Sequence, residues 1–302
     1  SVYHCSFGTS QARPSFIGSM GSYFSGGRVC SPTQAQRALQ KQTGMRRKVW
    51  HITKTLYGGA GAYALRLSDA LRNAGMDSCV LCEDSVDTEG AQELSPISGA
   101  VPRFATRVIR SMSHRMTSRA YQSLMGMEVY RAKEMPQKGD IIHLHGLTGW
   151  MGLRGLNALI PTGSPVFWTS HDLWPLSGGC IVYSGCDGYR NDCGSCPILR
   201  TGMKGWAKAE LRMKEKFVKE RKVQPVANSR WMAEHIEESR IYSGISDVPV
   251  IPPIVDPVYF STEIDTIREK LQIPSDKKVI ALGAREVTDR HKGIPEFLEA
   301  LA

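Results

Sequence analysis

The sequence predicts an α/β protein built on a doubly wound, largely parallel sheet. Three observations carry this expectation: short β-branched apolar runs that end at Gly, His, Asn or Pro, helical stretches between most of them, and a glycine cluster directly after the first run. Composition permits it, since 302 residues at 41% hydrophobic suffice for one large domain or two ordinary ones.

The elements follow in order. Residues 48–53, Lys-Val-Trp-His-Ile-Thr, read as a strand that stops at Gly58-Gly59-Ala60-Gly61. Residues 62–74 then carry Leu65, Leu67, Ala70 and Leu71 at near-helical spacing until Gly75 ends them. A second strand at 78–82 completes the opening of a βαβ unit. Further strands are predicted at 141–145, 165–170, 224–227 and 248–251. In such a sheet, ligands gather beyond the carboxyl ends of the strands, where the sequence puts the glycine cluster, His145, His171 and Asn228.

Domain boundaries follow from composition. Residues 1–44 are rich in Ser, Gly and Gln, lack sustained apolar periodicity, and precede Met45-Arg46-Arg47-Lys48, which reads like a natural start. They are expected to lie outside the fold, as extraneous or disordered chain. Residues 45–255 then form one Rossmann-like domain, and 256–275 form a linker with a short charged helix at 262–271. A fresh strand at 278–282 and a helix at 294–301, with Phe297, Leu298 and Leu301 on one face, open a second domain over 276–302. One βα unit cannot bury that face alone, so this domain is expected to be truncated at Ala302.

Lys and Arg total 38 against 29 Asp and Glu, a formal charge of +9 that favours phosphate-bearing partners without choosing among them. Four of these charges, Arg13, Arg28, Arg37 and Lys41, stand in the acid-free first 44 residues. Apolar runs such as Val279-Ile280-Ala281-Leu282 fall far short of the roughly 18 to 20 residues that cross a bilayer. In residues 101–116, Arg103, Arg107, Arg110 and His114 share one helical face, opposite Phe104, Val108, Met112 and Met116. That pattern suits peripheral contact with anionic lipid, and equally a core-packed helix with a solvated basic face. The Lys-rich stretch 204–222, with Trp206, Met213 and Phe217 in a stripe, poses the same choice.

The glycine cluster can bring Gly59, Ala60 and Gly61 N–H groups to a phosphate, or be a tight turn without a ligand. Cys180, Cys186, Cys193 and Cys196, at spacings C-x5-C-x6-C-x2-C, are close enough in sequence to gather round one structural zinc, with packed thiols next and disulfides last. His171 and Asp172 begin the loop that holds them. Asp172 can orient His171, accept a proton, or cap the loop.

The run from His171 to Pro197, beginning His-Asp-Leu-Trp and ending Cys-Gly-Ser-Cys-Pro, resembles the acceptor domain of retaining GT-B-fold glycosyltransferases, the group 1 or family 4 type that builds bacterial exopolysaccharide and lipopolysaccharide. The likeness takes in the glycine cluster, His143-Leu144-His145, Asn228-Ser229-Arg230-Trp231, and Val250-Ile251-Pro252-Pro253 with Asp256 and Phe260, in one consistent order over residues 46–302. It implies a hexosyltransferase-type enzyme that moves a sugar from a nucleotide diphosphate sugar to a lipid-linked saccharide. No cofactor is implied for catalysis. His171 and Asp172 take the catalytic positions, while Gly59, Ala60, Gly61, Arg285 and Lys292 hold donor phosphates, with Arg285 and Lys292 further apart than the family's usual spacing. His145, Trp174 and Asn228 line the acceptor-side cleft. The acidic pair that holds the donor's sugar and ribose would lie beyond Ala302, which implies that this stretch alone is inactive. The expected location is cytoplasmic, peripheral on the inner face of the membrane.

Two other classes compete. A dinucleotide-dependent oxidoreductase would want G-x-G-x-x-G where the sequence has G-G-A-G-A-Y, although Glu83 is near the place of a ribose-binding acid. A basic, zinc-containing nucleic-acid-binding protein would use the charge and the cysteines, yet no recognised nucleic-acid module is present, so no nucleic-acid partner is expected.

Overall fold

In the computed structural model, β1 (Val49–Ile52), β2 (Ser78–Cys82), β3 (Ala91–Glu93), a separate antiparallel pair β4 (Ser95–Pro96) and β5 (Tyr130–Arg131), then β6 (Ile141–Leu144), β7 (Val166–Ser170) and β8 (Gln224–Ala227) follow one another along the chain. The residues described are 47–84, 87–97, 104–108, 121–123, 128–183, 185–199, 204–255, 268–280 and 292–301, with positions 99, 111, 126, 260, 282 and 283. They fall into two compact units, one ending at Ile254 and the other beginning at Val255.

In the first unit six strands form an all-parallel sheet in the order β3-β2-β1-β6-β7-β8. The chain builds outward from β1 in one direction and then restarts at β6 in the other. The order therefore reverses between β1 and β6, the kind of switch point at which open α/β sheets bind ligands beyond the strands' carboxyl ends. Every residue of β1 and β2 is buried, as befits strands covered on both faces. Trp50, Ile52, Ile142, Leu144 and Trp168 anchor the core.

Helices of this unit with described bounds are α1 (Gly59–Asn73), α2 (Leu153–Leu159), α3 (Lys204–Arg221) and α4 (Arg230–Glu238). α1 begins at Gly59, three residues before its apolar periodicity. It buries Gly61, Tyr63, Ala64 and Ser68, while Leu65, Leu67 and Leu71 are only half-buried. Small residues at positions 61, 64 and 68 let the helix lie close on the sheet, and Ser68 Oγ meets Ser78 Oγ of β2 at 2.9 Å. α3 turns Ala207, Glu210, Leu211, Lys214, Phe217 and Val218 inward, with Trp206 and Met213 packed against the core, so its stripe is a core face. Ser229 caps α4 by accepting the Met232 N–H at 3.2 Å.

Two expected strands need correction, and one strand was not expected. Residues 248–251 do not form a strand: Val250 makes an isolated parallel bridge to Ala227, and the prolines at 249, 252 and 253, which lack N–H donors, prevent a longer ladder. β3, the edge strand Ala-Gln-Glu, has no apolar run to announce it. In the second unit residues 278–280 are not strand, and Val279 and Ile280 are exposed, with no neighbouring strand among the described residues to pair with. α5 (Ile294–Leu301) does form there.

The expected segment 1–44 lies outside the described residues, as do 262–267 of the linker helix and Arg103, Arg110, Met112, His114 and Met116 of the basic helix. Residues 104–108 are helical, with Phe104 and Val108 exposed and Thr106 buried. No helix of the described residues is long and apolar enough to cross a membrane.

Candidate functional site

The carboxyl ends of β6 and β7 deliver His145 and His171, each the first residue after its strand. β1 adds His51, which is in register with His143 of β6, so both side chains lie on the same side of the sheet. His51 Nδ1 is 3.0 Å from His145 Nε2, and His145 Nδ1 is 3.2 Å from His171 Nε2. His143 stands beside this chain with Nε2 2.7 Å from Thr169 Oγ1. Tyr63, from the first turns of α1, presses edge-on against His171 with ring centres 5.0 Å apart.

Burial decides the charge of these rings. Desolvation, seconded by Arg72, holds His51 at about 3, and desolvation alone holds His171 at about 4. His143 and His145 are pushed well below the ordinary histidine value by burial first and by neighbouring imidazoles second. All four are neutral at neutral pH.

His51, His143 and His145 offer nitrogens that lie within 4.8 Å of one another, and such a group could coordinate a metal. Nitrogens of these rings already face each other, His171 and Thr169, so an ion would have to displace those hydrogen bonds. Zinc was expected instead on the four cysteines. They are free thiols lining one pocket with Leu173, Tyr183 and Tyr189, and no three of their sulfurs come within 4.8 Å of one another. The Cys180 and Cys196 thiols influence each other, which draws the Cys196 thiol down and, with burial, raises that of Cys180. Cys186 Sγ accepts the Gly188 N–H at 3.4 Å.

The loop after His171 is fastened from several sides. Asp172 Oδ1 accepts the Trp174 N–H at 2.9 Å, closing an Asx turn, and Oδ2 accepts from Thr148 Oγ1 at 3.4 Å. Burial raises the Asp172 carboxyl to about 6. Of its sequence-stated roles the geometry therefore supports loop capping, and the group that meets His171 Nε2 is His145. Trp174, expected in the acceptor-side cleft, is 1% exposed: its Nε1–H donates to Gln122 O at 2.8 Å, and its ring packs on Trp168. Lys214 is fully buried beneath it, donating to Trp174 O at 2.6 Å and Ser177 O at 2.8 Å, and burial lowers its pKa to about 8. Glu210, one turn earlier, accepts from Tyr121 Oη and Trp206 Nε1 at 2.9 Å each, and from Ser123.

Of the other expected residues, His145 is buried, at 2% exposed, and contacts His171. Gly58, at φ 85°, adopts a conformation that favours glycine and delivers the chain into α1. Gly59 and Ala60 are open at the helix start, where the first N–H groups have no intrahelical acceptor. Gly61 is there for close approach, because a Cβ would come within 2.0 Å of Thr55 O. Half-buried Asn228 accepts from Ser229 Oγ at 3.2 Å. Lys292, in the second unit, is exposed, and Arg285 lies outside the described residues.

Sequence reasoning missed His51, Glu210 and Lys214. A histidine inside an apolar strand and two charges in a Lys-rich helix carry no local mark. The register of β1 on β6 was the missing signal for His51, and the four-residue spacing of Glu210 and Lys214 could have flagged that pair.

A curated relative from Escherichia coli (strain K12), "Putative colanic acid biosynthesis glycosyl transferase WcaC", is 29% identical over 79 residues, 24% of this chain. The match takes in 20% of that relative's length. The sequence profile of Glycosyltransferase Family 4 matches residues 57–259, more than half of the 302. That stretch includes the glycine turn, His143, His145, His171 and the loop pinned by Lys214, and the chain belongs to Glycosyltransferase Family 4.

Proposed function

We propose that this chain serves the transfer of a hexosyl group from a nucleotide diphosphate sugar to a lipid-linked saccharide in cell-surface polysaccharide synthesis, with retention at the anomeric carbon and without a catalytic metal. Family membership supports the reaction class, and the observation that carries the site is His171, held neutral at the carboxyl end of β7 beside the switch between β1 and β6. In the step, the anomeric carbon–oxygen bond to the diphosphate breaks, a bond to an acceptor hydroxyl oxygen forms, and the acceptor's proton leaves with the diphosphate.

His171 hydrogen-bonds the reacting sugar, and the α1 amino end with Gly59, Ala60 and Gly61 offers N–H donors to the donor's phosphates. Lys292 and Arg285 supply positive charge to the leaving group from residues 276–302 of the second unit, which open the donor-binding side. The unit ending at Ile254 forms the acceptor side, with Asn228 at its cleft. The surface polysaccharide includes lipopolysaccharide or exopolysaccharide, and the enzyme works on the cytoplasmic face, where the basic residues of the stretch 101–116 touch anionic lipid.

Tryptophan fluorescence of the full-length protein tests the reading. Uridine or guanosine diphosphate hexoses are expected to quench it saturably, while NAD and duplex DNA leave it unchanged. A response to NAD with none to the nucleotide sugars would overturn it.

A further inference from the structure

The rings of His51, His145 and His171 form a continuous hydrogen-bonded series, with nitrogen separations of 3.0 and 3.2 Å. A neutral imidazole carries one N–H, so one ring nitrogen donates and the other accepts. His145 sits in the middle and must donate on one side and accept on the other. Only two arrangements satisfy both contacts. In the first, all three rings are protonated at Nδ1, and His51 Nε2 is a bare electron pair. In the second, all three are protonated at Nε2, and the far end of the series is a His51 N–H.

His51 Nε2 separates these arrangements, because it is buried and meets no hydrogen-bond partner among the described residues. Orphaned buried N–H groups are rarer in folded proteins than under-satisfied acceptors, so the first arrangement is the stable one. Its consequence emerges at the other end of the series, where His171 accepts at Nε2 and is left with its proton on Nδ1. The neutrality that burial imposes on all three rings keeps the count at one proton each.

We infer that His145 and His51 are positioning residues that lock His171 as an Nδ1–H donor, so that the ring gives a hydrogen bond to a sugar or phosphate oxygen of the bound donor and does not act as a base. The role in transfer rests on the function proposed above; the tautomer itself does not. Tyr63 against the ring of His171 and His143 4.2 Å from the ring centre of His145 hold the planes that the series needs. Shifting His171 to the other tautomer would require all three protons to move together, which makes the lock stiff although no charge is present.

Histidine-selective 15N labelling of the full-length protein, read by two-bond proton–nitrogen correlation at neutral pH, tests this without any substrate. His51, His145 and His171 are each expected to show a protonated Nδ1 and a bare Nε2, the tautomer less favoured by a free histidine side chain. His145→Leu is expected to release His171 toward Nε2–H, and His145→Asn, whose amide N–H can take the place of Nδ1–H, to restore it. In transfer assays His145→Leu lowers kcat on the order of tenfold with little change in KM, and His145→Asn recovers it. Should His145→Leu fail to fold, the wild-type spectrum and that of His51→Phe decide. A wild-type His171 protonated at Nε2, or one equivalent of zinc or cobalt bound to His51, His143 and His145, overturns the inference. Because the spectra involve no sugar nucleotide, a failed tautomer and a failed transfer reaction are separate results.

Discussion

His145 Nδ1 lies 3.2 Å from His171 Nε2, so the first residue after β6 supports the first residue after β7. His171 is thereby anchored to the sheet, and its sequence neighbour Asp172 is occupied in holding the loop. Two adjacent strands at a topological switch make a stiffer mount than a loop contact would.

His171→Ala is expected to lower kcat/KM about 100-fold, the scale for removing one donor aimed at developing charge. Stability should fall by about 1–3 kcal/mol, because the buried His145 Nδ1 loses its partner. Steady-state kinetics together with denaturant unfolding check both halves; unchanged kinetics would remove His171 from the reaction.

Asp172 separates a catalytic carboxylate from a structural one. Asp172→Asn keeps an oxygen for the Trp174 N–H and is expected to retain most activity, whereas Asp172→Ala loses about 1–3 kcal/mol of stability by leaving that buried donor unpaired. If Asp172→Asn instead abolishes turnover with the fold intact, the carboxylate takes part in the chemistry.

Gly59 and Gly61 are two residues apart and should respond oppositely. A Cβ at Gly59 meets nothing within 4 Å, so Gly59→Ala is expected to be neutral or slightly stabilising. At Gly61 a Cβ meets Thr55 O at 2.0 Å and the Leu56 backbone at 2.7 Å, and Gly61→Ala should cost about 3 kcal/mol. Thermal unfolding of the two variants compares them directly.

Acid should loosen the fold through the histidines. Burial puts His51 at about 3 and His171 at about 4 in the folded state, below the ordinary 6.5. Between those limits the unfolded chain binds more protons, so stability is full above about 6.5 and declines as pH falls. His143 and His145 act in the same direction. Asp172, raised from 3.8 to about 6, opposes them, since its folded carboxyl binds a proton more readily than the unfolded one in that window. With each unit of pKa difference worth about 1.4 kcal/mol per group, the histidines prevail by a few kcal/mol. Tm is expected to drop steadily from pH 7 to about pH 5; a flat profile would contradict the buried neutral cluster.

The fold was legible where chemistry is local. β1, β2, β6, β7 and β8 announce themselves as apolar runs ending at Gly, His or Asn, and their strand-end residues identify His145 and His171. β3 escaped because a short polar edge needs no apolar face, and the buried side of α1 escaped because close packing selected Gly61, Ala64 and Ser68 over its leucines. His51 became a site residue only through the register of β1 on β6. The resemblance implied Trp174 at the acceptor-side cleft, while the buried Lys214 and the Gln122 carbonyl hold it in the core. Each of these misses depends on a contact between residues far apart in sequence, which periodicity cannot report.

The most direct test of the central claim is product analysis. Full-length protein, a nucleotide diphosphate hexose and a lipid-linked saccharide are incubated with excess chelator, and the product's anomeric configuration is read by proton NMR. The account predicts a glycosylated acceptor with the donor's configuration retained, undiminished by the chelator and reduced about 100-fold by His171→Ala. An inverted product, a strict metal requirement, or full activity in the His171 variant would contradict it.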